Sequence, residues 1–500
     1  MPDLKDHYDV VVVGAGLSGI DAGYRLQTMC PGRDYVILEA RHGLGGTWDL
    51  FKYPGVRSDS DMYTLGFPFE PWTGDKSIAD AADILDYLKS TAAKYGIDEH
   101  ISYDSKLTDG DWSSEDAVWT LTVQTAGGAR EVTANFVYMC SGYYNYEQGY
   151  TPEFPGREDF TGQVVHPQFW PEDLDVKGKD VVVIGSGATA VTLVPSLVEL
   201  GARPTMLQRS PSYVIAQPDR DGSAAKLRKR LSAERAHSIT RWRYVLATQG
   251  FYQFCRRMPK TAKKALRKAT ESQLKGSGVG IENFQPKYNP WDERLCVVPR
   301  GDLFRALREH TADIVTDTID RWTPEGVKLS SGRVLRADII VTATGLNMLA
   351  AGGAQLTVDG EKVDFGERYI YRGMMVEGVP NAAICIGYTN ASWTLRADLS
   401  AQYFCKFVNH VSTSGSAYGY PTAHEAMRSR PAIDLQSGYV QRSIADFPKQ
   451  GDRRPWFLRQ NYVLDNRDTK RADLTQDMTY VAVGDVRTPN GDLHPSSGAA

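Results

Sequence analysis

Two glycine-rich turns stand out among the residues able to do chemistry. The apolar run Val10-Val11-Val12-Val13 leads into Gly14-Ala15-Gly16-Leu17-Ser18-Gly19. In this spacing the first glycine permits a tight turn, the second lets backbone approach a pyrophosphate, and the third lets the following helix pack closely on the strand. The helix amino terminus, with Ser18 in its first turn, offers free N–H groups and the positive end of a dipole to phosphates. About twenty residues further on, Val36-Ile37-Leu38 runs into Glu39, an acid placed to bind a ribose diol. Three glycines alone are a weak signal; strand, turn, helix and acid together predict a dinucleotide site.

The second turn repeats the design. Val181-Val182-Val183-Ile184 is followed by Gly185-Ser186-Gly187-Ala188-Thr189-Ala190, with Ala190 as a tolerated substitute for the third glycine. Here the next strand, Thr205-Met206-Leu207-Gln208, ends in Arg209-Ser210 instead of an acid. A carboxylate would repel a 2′-phosphate, whereas a guanidinium beside a hydroxyl binds one. The second site therefore favours NADPH over NADH, and two unlike nucleotide sites in one chain imply hydride transfer from NADPH to FAD.

These turns need elements to hold them. The chain of 500 residues exceeds what one hydrophobic core supports. The repeated pattern of short β-branched run, glycine turn and helix predicts an α/β protein with two Rossmann-like, doubly wound dinucleotide-binding domains and a helical insertion. Residues 132–140 and 338–345 read as strands that carry the chain between the domains. That organisation places a discontinuous FAD domain at 1–145 and 346–500, an NADPH domain at 158–215 and 295–345, and a mainly helical insertion at 216–294. The insertion is rich in Lys and Arg. Such a face is either simply solvated or suited to an anionic membrane surface, with Trp242, Tyr244, Phe251, Tyr252 and Phe254 as its apolar side.

Composition narrows the classes. With 42% apolar and 24% charged residues, the chain is globular in type, and a net charge of −4 gives no general attraction for nucleic acid. No signal peptide or spanning segment is read at the amino terminus. Six singly scattered cysteines suggest neither a disulfide framework nor a zinc knuckle, so no metal site is expected and a reducing cytoplasm fits. Without a CxxC pair the flavin disulfide reductases are disfavoured. The tail from about Gly484, with Pro489, Pro495, Ser496 and Ser497, reads as disordered.

Three further stretches bear on where the electrons go. Residues 160–171 read FTGQVVHPQFWP, matching FxGxxxHxxxWP. Gly45-Gly46-Thr47-Trp48, Tyr53-Pro54-Gly55 and Asp59 form a second pattern, and Trp291-Asp292-Glu293-Arg294-Leu295-Cys296-Val297 a third. On these motifs nearly the whole chain resembles the type I Baeyer–Villiger monooxygenases. It is nearest the subgroup that includes the ethionamide-activating monooxygenases, which the phrase Gly387-Tyr388-Thr389-Asn390-Ala391-Ser392-Trp393-Thr394 also resembles.

The resemblance implies FAD, NADPH and O2 as reactants and a small ketone as substrate, converted to an ester or lactone by way of a C4a-peroxyflavin. It implies that Gly46, Thr47, Trp48 and Asp59 border the flavin. Arg294 would stabilise the peroxide and the tetrahedral oxyanion, an effect on the order of 3 kcal/mol for a fixed donor in a dry site. Asp59 would hold Arg294 and balance its charge. His166 would serve the linker between moving domains instead of acting as a base. Two positions depart from the pattern: Glu172 replaces Asp and keeps its charge. Glu293 replaces a Lys that helps hold the NADP phosphate in many relatives, which shifts that contact to Arg209. The subgroup also oxidises sulfides, and the competing assignment is a flavin-containing monooxygenase that oxygenates sulfur or nitrogen and needs no such arginine.

Overall fold

The computed structural model describes residues 4–486. The prolines and serines 489–497 of the expected disordered tail lie outside the described residues. The fold is mixed α/β, built on two sheets with parallel cores. In the first, the strand His7–Val13 lies between Tyr35–Leu38 and Gly128–Met139, parallel to both, with Val11 opposite Val36 and Val137. Val10, Val11 and Val12 are fully buried because helices and an antiparallel extension cover both faces, which is why the run is apolar throughout and not alternating. The strands Lys106–Ser113 and Val118–Thr125 extend this sheet antiparallel from Gly128–Met139, and Ala382–Ile384 returns to pair with it.

The second sheet is entirely parallel. Its order is Asp313–Thr316, Arg203–Gln208, Asp180–Ile184, Ile339–Thr342, Gln163–Val165. The helix Ala188–Glu199 packs on it through Val191, Leu193, Val194 and Leu197, all fully buried. The chain leaves one sheet for the other after Gly128–Met139 and returns after Ile339–Thr342. The two crossing segments, Tyr144–Gly149 and Leu346–Met348, pair with each other as an antiparallel ribbon. His166 sits on that ribbon: its ring fills the space beside Gly149, and its Nε2 lies 3.3 Å from the Gly345 carbonyl.

Between the second-sheet strands Arg203–Gln208 and Asp313–Thr316 come three helices, Gly222–Arg228, Ala233–Arg257 and Pro259–Leu274. The second is bound into the first unit by the buried Arg241, whose Nη1 donates to the carbonyls of Tyr63 at 2.8 Å and Gly66 at 2.7 Å. The aromatic face expected here divides. Tyr244 stacks on Tyr63 and Tyr252 meets the edge of Trp291, because the helix packs against the body of the protein on that side. Trp242 stays exposed, flanked by the exposed Ile239 and Leu246. Among the described residues no helix is long and apolar enough to cross a membrane. All six cysteines are buried free thiols.

Candidate functional site

The first glycine turn is built by close approach. Gly14, at φ +103°, passes so near the Cys140 carbonyl that a Cβ would stand 2.8 Å from its oxygen, and a Cβ on Gly19 would lie 1.9 Å from the Gly14 oxygen. These two glycines are demanded by the fold itself. Gly16 differs: at φ −77° it is unstrained, and its nearest neighbour would be the Gly46 Cα at 3.6 Å. Glu39 closes the turn from the side. Its buried carboxylate accepts from the Ala15 N–H at 2.7 Å and the Arg41 N–H at 3.0 Å, while burial pushes its pKa up. Ser18 accepts from the Trp393 indole at 2.7 Å. Gly45 and Gly46 both take positive φ to turn the chain back over the site, and Thr47 meets the Tyr146 hydroxyl at 3.3 Å.

The second turn has the same division of labour. Gly185 is at φ +148°, and a Cβ there would stand 2.3 Å from the Ala343 carbonyl oxygen, whereas Gly187 has nothing within 4 Å. Ala190 is fully buried at the helix–strand contact. Ser186 accepts from the Ser212 hydroxyl at 3.0 Å. At the end of Arg203–Gln208 the chain becomes exposed at Arg209 and Ser210, while Gln208 stays buried and donates to Thr316 and to the Asn283 carbonyl. Glu293 lies within electrostatic reach of Arg209. Burial and Asp292 push its carboxyl up, and Arg209 opposes them.

Between the turns lies a cleft of about 830 Å³, within the range of small-molecule and cofactor sites. Gly14, Gly16, Ser18, Glu39, Gly46, Thr47 and Trp48 line it from the first unit, and Ala188, Thr192 and Arg294 from the second. Open backbone beside Gly16 and Gly187, at the start of two helices, is what a pyrophosphate requires, so the residues present fit two dinucleotides.

The loop bearing Asp59 is docked onto the second unit. Gly55 lies so close to the helix Ala188–Glu199 that a Cβ would overlap the Ser196 hydroxyl at 1.9 Å. Arg57 donates to Asp302 at 2.7 Å, while its Nε and Nη2 are buried without partners. The loop bearing Arg294 is braced by Asp292, which accepts from Arg256 at 2.8 Å and from the Asn289 N–H at 2.9 Å. Arg294 donates to the Tyr143 hydroxyl at 3.2 Å. Exposed to the cleft, its guanidinium is held charged by Tyr143 first, then, against desolvation by the surrounding protein, by Tyr439, Tyr144 and Asp59. The Asp59 side chain is open to the cleft, and the protein around it pushes its carboxyl up to about 6, opposed by Arg294 and then Arg57. Asp59 and Arg294 both face the cleft and feel each other's charge, but no ion pair within 4 Å joins them among the described residues. The guanidinium is thus not locked by its counter-charge.

Sequence reasoning missed Arg57, Tyr143 and Trp393 as cleft residues. Arg57 stands within the Tyr-Pro-Gly to Asp pattern and was legible there by charge. Tyr143 reaches Arg294 only because the crossing segment runs beneath it.

A cleft lined by the first glycine turn and by the helix that follows the second, with a charged arginine and a carboxylate between them, suits a two-nucleotide oxidoreductase. The model of the flavin-binding monooxygenase-like family matches residues 62–238, and that of an NAD(P)-binding Rossmann-like domain matches residues 12–74. The chain is 50% identical over 473 residues to the FAD-containing monooxygenase EthA of Mycobacterium tuberculosis, covering 94% of this chain and 97% of that protein. It is 43% identical over 473 residues to the probable FAD-binding monooxygenase AlmA of Acinetobacter baylyi, covering 94% and 95%. Among solved structures, cyclohexanone monooxygenase with bound ε-caprolactone superposes with a TM-score of 0.73 at 19% identity, over 95% of this chain and 99% of that one. A steroid monooxygenase bound to NADP gives 0.72 at 21%, over 95% and 100%. The chain belongs to the FAD-containing, flavin-binding monooxygenases.

Proposed function

We propose that this monooxygenase is of the Baeyer–Villiger type and inserts one oxygen atom beside a ketone carbonyl, giving an ester or lactone. The observation that carries this reading is Arg294, a firmly charged guanidinium presented to the cleft between the two glycine turns. Oxygenation of sulfur or nitrogen needs no such group; addition to a carbonyl develops negative charge on oxygen and does.

The cofactors are FAD and NADPH. We assign FAD to Gly14, Gly16, Ser18, Gly19, Glu39, Gly46, Thr47 and Trp48, and NADPH to Gly185, Ser186, Gly187, Ala188, Thr189, Ala190, Arg209 and Ser210. The flavin unit is taken as 1–145 with 346–500, and the NADPH unit as 158–215 with 295–345. When bound and reduced, FAD supplies an oxygen atom activated from O2.

The chain's own residues do the rest. Arg294 donates to the carbonyl oxygen and takes up the charge that grows there, while Tyr143 fixes one of its nitrogens. Asp59 is a positioning residue: its charge acts on the guanidinium across the cleft without pairing with it, which leaves donors free for substrate. Arg57 keeps Asp59 ionised and ties its loop to Asp302 of the other unit. Arg209, exposed at the strand end and within electrostatic reach of Glu293, meets the 2′-phosphate.

The test is Arg294→Ala with a panel of aliphatic, cyclic and aryl ketones and one sulfide, products being identified by mass spectrometry. NADPH oxidation should continue and release hydrogen peroxide, ester should be lost, and sulfoxide formation should persist. Ester made at close to the wild-type rate would overturn the reading.

A further inference from the structure

Away from the cleft, the C-terminal part of the chain encloses a second cavity of about 240 Å³. Five arginines line it, Arg372, Arg396, Arg454, Arg459 and Arg471, against three aspartates, Asp465, Asp468 and Asp473. The aspartates are already engaged. Asp465 is shared by Arg396 at 3.2 Å and Arg459 at 3.4 Å, and Asp468 by Arg454 and Arg459. Asp473 turns to its own loop, accepting from the Thr475 N–H at 2.9 Å and hydroxyl at 2.7 Å.

The arginines are not equally satisfied. Arg372 meets neutral acceptors, among them the Asp473 carbonyl and the Gln476 side chain, both at 3.4 Å. Arg471 is exposed at the mouth and has no partner among the described residues. Two buried polar atoms of the lining, Arg459 Nε and Ser400 Oγ, have no partner at all, and Ser400 is only 2% exposed. Buried donors are seldom left so. A concave, partly dry site with an excess of guanidinium and unsatisfied donors is suited to a compact oxyanion, which arginine forks bind with two parallel hydrogen bonds.

We propose that this cavity binds a phosphate group. It is tied to the cleft, because Tyr388 lines the cleft and donates to Asp465 at 2.8 Å. The helix Tyr462–Lys470, which carries Asp465 and Asp468, also meets Trp242, 5.8 Å from Tyr462, with the exposed Ile239 and Leu246 beside it on the neighbouring helix. The same chemistry thus has two sources, a soluble phosphate compound or the headgroup of an anionic lipid.

The experiment uses holoenzyme saturated with NADP+, so that the cofactor phosphate sites are filled. Inorganic phosphate and pyrophosphate are titrated by calorimetry at constant ionic strength, and vesicles of phosphatidylcholine with and without phosphatidate are tested by co-sedimentation. Saturable one-site binding is expected, weakened about 10-fold or more in R471Q and in R454Q/R471Q, as loss of charge-assisted bonds implies. Flavin content and the KM for NADPH should not change in these variants. Binding of the soluble anions identifies the first source, and binding of phosphatidate vesicles alone the second. Absence of binding in both arms, or binding that both variants retain at wild-type strength, would overturn the proposal.

Discussion

Gly16→Ala should separate binding of FAD from folding of the site that binds it. Gly16 lies at φ −77° and ψ −169°, a conformation open to alanine, and its added Cβ would rest in ordinary contact with Gly46 at 3.6 Å. The cost to the fold is the difference between glycine and alanine at a helix N-cap, below about 1 kcal/mol. Gly19→Ala makes the contrast, since its Cβ would lie 1.9 Å from the Gly14 oxygen. Neither backbone can yield there without moving the helix or the strand, so about 3 kcal/mol or more of stability is lost. With FAD the order reverses for Gly16. The new methyl occupies the lane along which backbone approaches pyrophosphate, and each charge-assisted bond lost is worth about 1.5–3 kcal/mol. One or two such losses, roughly 3 kcal/mol together, weaken FAD about 100-fold. The assay is thermal unfolding of the flavin-free proteins, followed by FAD titration by fluorescence quenching. Gly16→Ala should unfold within a few degrees of wild type yet be purified nearly colourless. Gly19→Ala should unfold at clearly lower temperature before any flavin is added. A Gly16→Ala protein that retains a full complement of flavin at wild-type affinity would show that this turn is not the flavin site.

Two further outcomes test the second unit and the cleft charges. Arg209→Ala should raise the KM for NADPH far more than that for NADH, by roughly 1–3 kcal/mol of lost charge-assisted bonding, and equal effects on both would dismiss Arg209 as the 2′-phosphate contact. Asp59, with its carboxyl pushed up to about 6, loses its charge as pH falls through that value, so ketone oxygenation should decline on the acid side of about 6. Arg57→Gln removes a cation that holds this carboxyl down, so the acid midpoint should move up. Stopped-flow and product-yield profiles read it, and a midpoint that stays put or moves down contradicts the role given to Arg57.

Local chemistry was legible in the sequence because it depends on contacts between neighbours in the chain. Strand, glycine turn and helix are consecutive, so the two strand–turn–helix units could be read from order and spacing alone. The β-branched run before Gly14 likewise announced a strand, while its cover on both faces became visible only in the fold. What the sequence could not supply is distance across the chain. Glycines of one motif carry different burdens: Gly14 and Gly19 are required by Cys140 and by each other, whereas the fold would admit a side chain at Gly16, and only the folded backbone distinguishes them. Tyr143 meets Arg294, and Arg57 meets Asp302, because the crossing ribbon and the docked loop bring the two units together. The basic insertion, which in sequence could have shown its aromatics to a membrane, turns Tyr244 and Tyr252 inward because Arg241 anchors the helix in the carbonyls around Tyr63. Asp59 shows the limit most clearly. Its type and motif mark a partner for Arg294, but whether the two form a closed ion pair or stand apart with donors free is set by the backbone of two loops far apart in sequence, and the folded chain holds them apart.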